Sequence, residues 1–173
     1  MTVFPFNGTW PTIAEDVFIA PGAMIIGNVT IYEGASIWYN AVVRGDSAPI
    51  VVGRRTNIQD NCTLHVDADA PLTIGDDCTV GHGAVVHGAT VGDRVLIGMK
   101  AVVLSHSQVG SDTIIGASAL VGERKTIPQG VLALGIPAKV ARPLTPDEHA
   151  GIIPSATGYQ ERARLHRESQ EHL

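Results

Sequence analysis

An aliphatic residue recurs every six positions from Ile13, through Ile19, Ile25, Ile31 and Ile37 to Val43. After a three-residue insertion the ladder resumes at Val52, Ile58 and Leu64, and after a four-residue insertion at Ile74, Val80 and Val86. One residue is then deleted, and Val91, Ile97, Val103, Val109, Ile115, Val121 and Ile127 complete the series. Four residues after these aliphatics sits a compact residue, as at Val17, Ala23, Val29, Ala35, Ala41, Cys62, Cys78, Ala84, Ala101, Thr113 and Ala119. Glycine often follows the aliphatic directly, as at Gly53, Gly75, Gly81, Gly98, Gly110 and Gly116. A six-residue unit cannot bury an apolar side alone, so it must stack on its neighbours to close a core. Short strand, corner, short strand is the reading, with three strands per coil forming a triangular prism. The aliphatic points inward, the compact residue fits the corner, and glycine is expected to supply backbone angles that a β-carbon disfavours. An ordinary sandwich does not hold one strand period for so long. The expected fold is an all-β solenoid.

Composition narrows the class. With 45% hydrophobic and 17% charged residues the chain has the apolar surface to form a packed domain, and only 5% aromatics agrees with thin, regular layers. Lys+Arg 12 against Asp+Glu 17 leaves a net charge of −5, which argues against a nucleic-acid partner. No run approaches the ~20 apolar residues of a membrane span, so no membrane partner is expected either. The first basic residue is Arg44, so no secretory n-region is expected and a cytoplasmic location is. Cys62 and Cys78 make no disulfide framework and read as reduced thiols filling the interior.

The ladder stops after Gly135-Ile136-Pro137-Ala138-Lys139. Thr145-Pro146-Asp147-Glu148 reads as a capping box with proline at the first helical position, and a second helix is expected from near Ser155 to Gln170. Its stripe of Tyr159, Ala163 and His166 or Arg167 would pack along the prism. The expected organisation is a β-helix domain over residues 1–140 and a helical segment over 141–173.

The register also turns histidines into geometry. Val43, Leu64 and Val86 are third-strand aliphatics of consecutive coils, so Arg44, His65 and His87 stack in one outward column. Stacked strands lie about 4.7–4.9 Å apart, so the two imidazoles can converge on one ion. His82 lies around a corner and is expected to reach that ion only from a neighbouring copy, which implies a closed ring; a prism with three corners suits a threefold one. His106, His149, His166 and His172 read as surface residues. Cys62 and Cys78 are excluded as ligands because they occupy inward positions on different strands.

Arg44-Gly45-Asp46, Asn57-Ile58-Gln59-Asp60-Asn61, His65, and His82 five residues before His87 together resemble the gamma-class carbonic anhydrase family over nearly the whole chain. That resemblance implies a left-handed parallel β-helix and a homotrimer with zinc shared between adjacent subunits. His65 and His87 of one copy and His82 of the next would be its ligands. Three neutral imidazoles leave open positions for water, and cobalt or iron suits the same donors. Zinc lowers the pKa of such water to about 7, a value known from carbonic anhydrase itself, and the hydroxide converts CO2 to bicarbonate. Gln59 is implied to hold hydroxide or bicarbonate. Asp60 lies at the repeat position of His82 one coil earlier and is placed to orient that imidazole or an arginine. Asn57 and Tyr159 match catalytic-site positions, and Arg44 with Asp46 is expected as an ion pair at the subunit interface. The chain departs from the founding members where Ser47 replaces a glutamate, and its short loop after His65 offers only Asp67 and Asp69 as proton shuttles. Two other functions remain open on the sequence: a hexapeptide acyltransferase or acyl-CoA thioesterase using His106 as base, and a metal-bound trimer with weak or no hydratase activity.

Overall fold

The computed structural model, which describes residues 2–170, closes the six-residue ladder into a triangular prism of about seven coils. From Ile25 to Ile127 every ladder aliphatic is 4% exposed or less, so the prism axis is a continuous column of Val, Ile and Leu. The compact positions are buried beside it, including Cys62 and Cys78, whose thiols burial pushes up to about 12. They are core thiols, as the register requires.

Each coil contributes one short parallel strand to each of three faces. The first face stacks Phe18–Ile19, Ser36–Ile37, Asn57–Ile58, Thr79–Val80, Leu96–Ile97, Ile114–Ile115 and Val131–Leu134. The second carries Thr63–His65, Val85–His87, Val102–Val103 and Leu120–Val121, and the third Leu72–Ile74, Thr90–Val91, Gln108–Val109 and Thr126–Ile127. Two long strands, Met24–Ile31 and Val42–Val52, bend from the second face onto the third. The three-residue insertion is absorbed in the second of these, and the four-residue insertion folds into a small hairpin closed by an Asp67–Ala70 bridge. Hexapeptide repeats of this kind fit a left-handed β-helix.

The repeat glycines act by a different cause from the one expected. The left-handed corner angles fall mostly on other residues, among them Asn40, Asn61, Asp77, Arg94 and Asp112. Gly98 has no such angle. A β-carbon there would lie 2.5 Å from the Ala117 backbone nitrogen of the next coil, and one at Gly110 equally close to that of Gln129. Glycine is needed because coils approach too closely to admit a side chain.

At the far end, Lys139–Pro143 turns back and pairs antiparallel with Val131–Leu134, ending the parallel ladder. The helix that follows is single, Pro146–Gln170, which corrects the expectation of two. Its capping box forms as predicted: Thr145 N–H donates to Glu148 Oε2 at 2.9 Å and Glu148 N–H to Thr145 Oγ1 at 3.2 Å. Pro154 costs ~3 kcal/mol inside a helix, yet the helix continues because Ile152 and Ala156, on either side, are both buried against the prism. Burial of the isoleucine alone returns ~1.5–3 kcal/mol.

The helix lies on the first face over an aromatic cluster. Trp38 sits 5.2 Å from Phe18, 5.2 Å from Tyr159 and 5.1 Å from His166, centroid to centroid. Tyr39 Oη is 2.7 Å from His166 Nδ1. His166 is therefore a packing residue that locks the helix, not the surface residue expected. His149 is exposed near Asp112, and His172 lies outside the described residues. Among the described residues, no helix is long and apolar enough to cross a membrane.

Candidate metal centre

The ladder pairs His65 directly with His87, and its extension places Arg44 next in the column. The imidazoles meet as the register demands, with ring centroids 4.9 Å apart and His65 Nδ1 2.9 Å from His87 Nε2. Each ring is held from behind. His65 Nε2 lies 3.0 Å from Asp46 Oδ1, and His87 Nδ1 lies 2.9 Å from Ser105 Oγ, which donates to Asp67 Oδ2 at 2.8 Å.

Arg44 pairs with the other oxygen of Asp46 two residues along the same strand, so this ion pair forms within one chain. Burial of Asp46 works to raise its pKa, but hydrogen bonds from His65 and Arg44 outweigh that and hold the carboxyl below its ordinary range. Ser47 adds only a long 3.4 Å contact to Asp46.

Around the corner, on the first face, the second group of predicted residues assembles. His82 is one coil from Asp60, with Nδ1 2.7 Å from Asp60 Oδ2, and its side chain is 47% exposed. Gln59 is buried. Its Oε1 accepts the His82 backbone N–H at 3.1 Å and its Nε2 donates to Asn57 Oδ1 at 3.1 Å. Asn57 in turn donates to Thr79 Oγ1 at 2.9 Å. Gln59, His82 and Tyr159 line one cleft of about 460 Å3 with Met99, Ser155 and Arg162. Burial raises the Tyr159 pKa, and the Arg162 guanidinium stands 4.8 Å over its ring.

The predicted residues thus form two clusters: Arg44, Asp46, His65 and His87 on the second face, and Asn57, Gln59, Asp60, His82 and Tyr159 on or beside the first. Among the described residues of one chain, no three His, Cys, Asp or Glu side chains converge on a metal position. The donors nonetheless suit one. Tetrahedral nitrogens at 2.0–2.1 Å from zinc stand ~3.3 Å apart, so parting the His65 and His87 rings by roughly half an ångström opens a seat between them.

Ser105 was not foreseen. Its register partner in the coil before is Gly88, one step past the histidine column, so the signal lay in the offset between coils. Asp67, foreseen as a shuttle, has its carboxylate on Ser105. Asp69 is 79% exposed and 3.6 Å from His106, which lines a separate cleft with Ala70 and Gly88.

A family model for bacterial transferase hexapeptide repeats matches residues 11–45 and 88–123. A carbonic anhydrase of Geobacillus kaustophilus is 43% identical over 169 residues, which is 98% of this chain and 93% of that protein. The mitochondrial gamma carbonic anhydrase 2 of Arabidopsis thaliana is 44% identical over 90% of this chain, and the chain spans 58% of the plant protein's length. A solved Bacillus cereus structure carrying a provisional acetyltransferase name superposes with a TM-score of 0.95 at 39% identity, covering 96% of this chain and 97% of that one.

Proposed function

This chain belongs to the gamma-class carbonic anhydrase family, and from that premise we propose that it is a metal-dependent enzyme for the reversible hydration of CO2, its site divided between adjacent copies of a homotrimer. The observation that carries the proposal is the facing pair His65 Nδ1 and His87 Nε2, 2.9 Å apart and each backed by its own partner. With His82 held on a neighbouring face, one copy offers two ligands and the next offers the third.

Zinc, or cobalt or iron in its place, would supply water ionised near neutral pH. The protein's share is positioning. Asp46 holds His65, with Arg44 fixing Asp46. Asp60 beside Nδ1 of His82 directs that ring's Nε2 outward, the usual work of a carboxylate behind a metal-binding imidazole. The Gln59 amide is fixed by Asn57 and the His82 backbone, which leaves one Nε2 N–H to hold bicarbonate at the cleft. Tyr159 closes the cleft from the helix side. Asp69 and buffer are the proton acceptors left, because Asp67 is engaged.

The test is metal content, oligomer size and CO2 hydration on one preparation, before and after chelation. About one metal per chain in a trimer, with hydration lost on chelation, is the expected result. A metal-loaded trimer without hydration would leave only the scaffold reading. The Bacillus cereus neighbour's name favours one alternative, acyl transfer from coenzyme A with His106 as base in its own cleft. Acyl transfer by metal-free protein, silenced by His106→Ala, would replace the proposal with that one.

A further inference from the structure

Proton counting along the chain that ends at Asp67 assigns a tautomer. The Asp67 carboxylate has no hydrogen to give, so the single hydroxyl hydrogen of Ser105 occupies the 2.8 Å contact between them. Ser105 Oγ can then only accept across its 2.9 Å contact with His87, and the ring must carry its hydrogen on Nδ1. His65 spends its own hydrogen on the Asp46 carboxylate through Nε2, so the Nε2 lone pair of His87 and the Nδ1 lone pair of His65 are left facing each other across 2.9 Å, a contact that favours a cation between them.

We propose that Ser105, locked by Asp67, is a positioning residue that sets His87 in its Nδ1–H tautomer and aims the Nε2 lone pair into the seat between the two rings. This rests on the metal site proposed above and gives Asp67 a task other than proton shuttling. An isolated neutral imidazole exchanges its hydrogen between both nitrogens; one that carries it on Nε2 cannot bind a cation there. The relay removes that competing form before any ion arrives. Ser105 is suited to the task because it is 6% exposed, so water does not compete for its oxygen. Asp67 comes from the small hairpin that the four-residue insertion makes possible.

Long-range 1H–15N spectra of the metal-free, full-length protein, with the His87 signal assigned by its loss in His87→Gln, read the tautomer directly. The wild type is expected as Nδ1–H. Ser105→Ala is expected to populate Nε2–H, Ser105→Thr to restore the wild-type pattern, and Asp67→Ala to give a mixture because the hydroxyl is then free to turn. In competition with a chromogenic chelator, zinc is expected to bind Ser105→Ala 10–100-fold more weakly and Ser105→Thr within a few-fold of wild type. A His87 that stays Nδ1–H in Ser105→Ala, or zinc uptake indifferent to that change, overturns the inference. Wild-type protein that takes up no zinc overturns the underlying site instead, a separate result.

Discussion

His65 and His87 are held on every side, whereas His82 is held on one. On the second face each ring has its outer nitrogen tied to a partner, Asp46 for His65 and Ser105 for His87, and the two inner nitrogens face each other 2.9 Å apart. On the first face His82 has one carboxylate beside Nδ1, and nearly half of its side chain is exposed. The contrast separates a seat from a visitor. In the proposed site the paired histidines are a close-set seat that a cation would part, while His82, presented outward at a corner, would serve the seat of a neighbouring copy.

The strongest way to break that comparison is to separate the halves genetically. His87→Ala and His82→Ala trimers are each expected to retain no metal. Mixed trimers of the two variants regain one intact interface in three, hence about a third of the metal. Elemental analysis of mixed trimers separated from the homotrimers checks this, and metal-free mixed trimers would mean that the two halves do not meet across chains.

The carboxylates sharpen the same comparison at smaller amplitude. Among the described residues Asp60 is the one carboxylate beside His82, so Asp60→Asn is expected to weaken zinc binding 10–100-fold. The His65 ring is only 21% exposed and is wedged against the His87 ring, so Asp46→Asn is expected to cost only a few-fold. Equal losses by chelator competition would erase the distinction between a seat and a visitor.

The smallest effect is expected outside both halves. Asp112 is 9% exposed and paired bidentately with Arg94 at 2.6 and 3.0 Å. That guanidinium is the main cause of its lowered pKa. A lowered folded-state pKa means stability present above the unfolded carboxylate value and lost as pH falls through the folded one. Asp112→Asn, which keeps a residue tolerant of the left-handed corner, is expected to cost about 1–2 kcal/mol at pH 7, discounted for the partly exposed arginine. Thermal melts should show the difference shrinking as pH falls below the ordinary carboxylate range, with zinc binding at pH 7 unchanged.

The prism could be read from the sequence because its period is a local property: each aliphatic marks one strand, and counting by threes brings Arg44, His65 and His87 into line. The same count placed Asp60 beside His82. What the sequence concealed depended on distances between elements. Ser105 meets His87 because adjacent coils are offset, which no motif records. Phe18, Trp38 and Tyr39 lie more than a hundred residues before His166, so their cluster emerged only once the helix was laid across them. The unity of the helix was hidden by Pro154, whose cost is local while the burial that offsets it is tertiary. The repeat glycines were legible as a pattern but not as a cause, because a steric limit between coils leaves no trace in one coil.

The returning strand Lys139–Pro143 also bears on how the molecule survives in a crowded solution. A stack of parallel strands is a template at its open end, able to recruit further strands in the manner of a fibril. Reversing direction there, and placing Pro143 where an amide hydrogen would be offered, presents the next molecule with a mismatched and partly mute edge. Truncation before Lys139 would strip that guard from Val131–Leu134 and turn a discrete particle into a polymerising one.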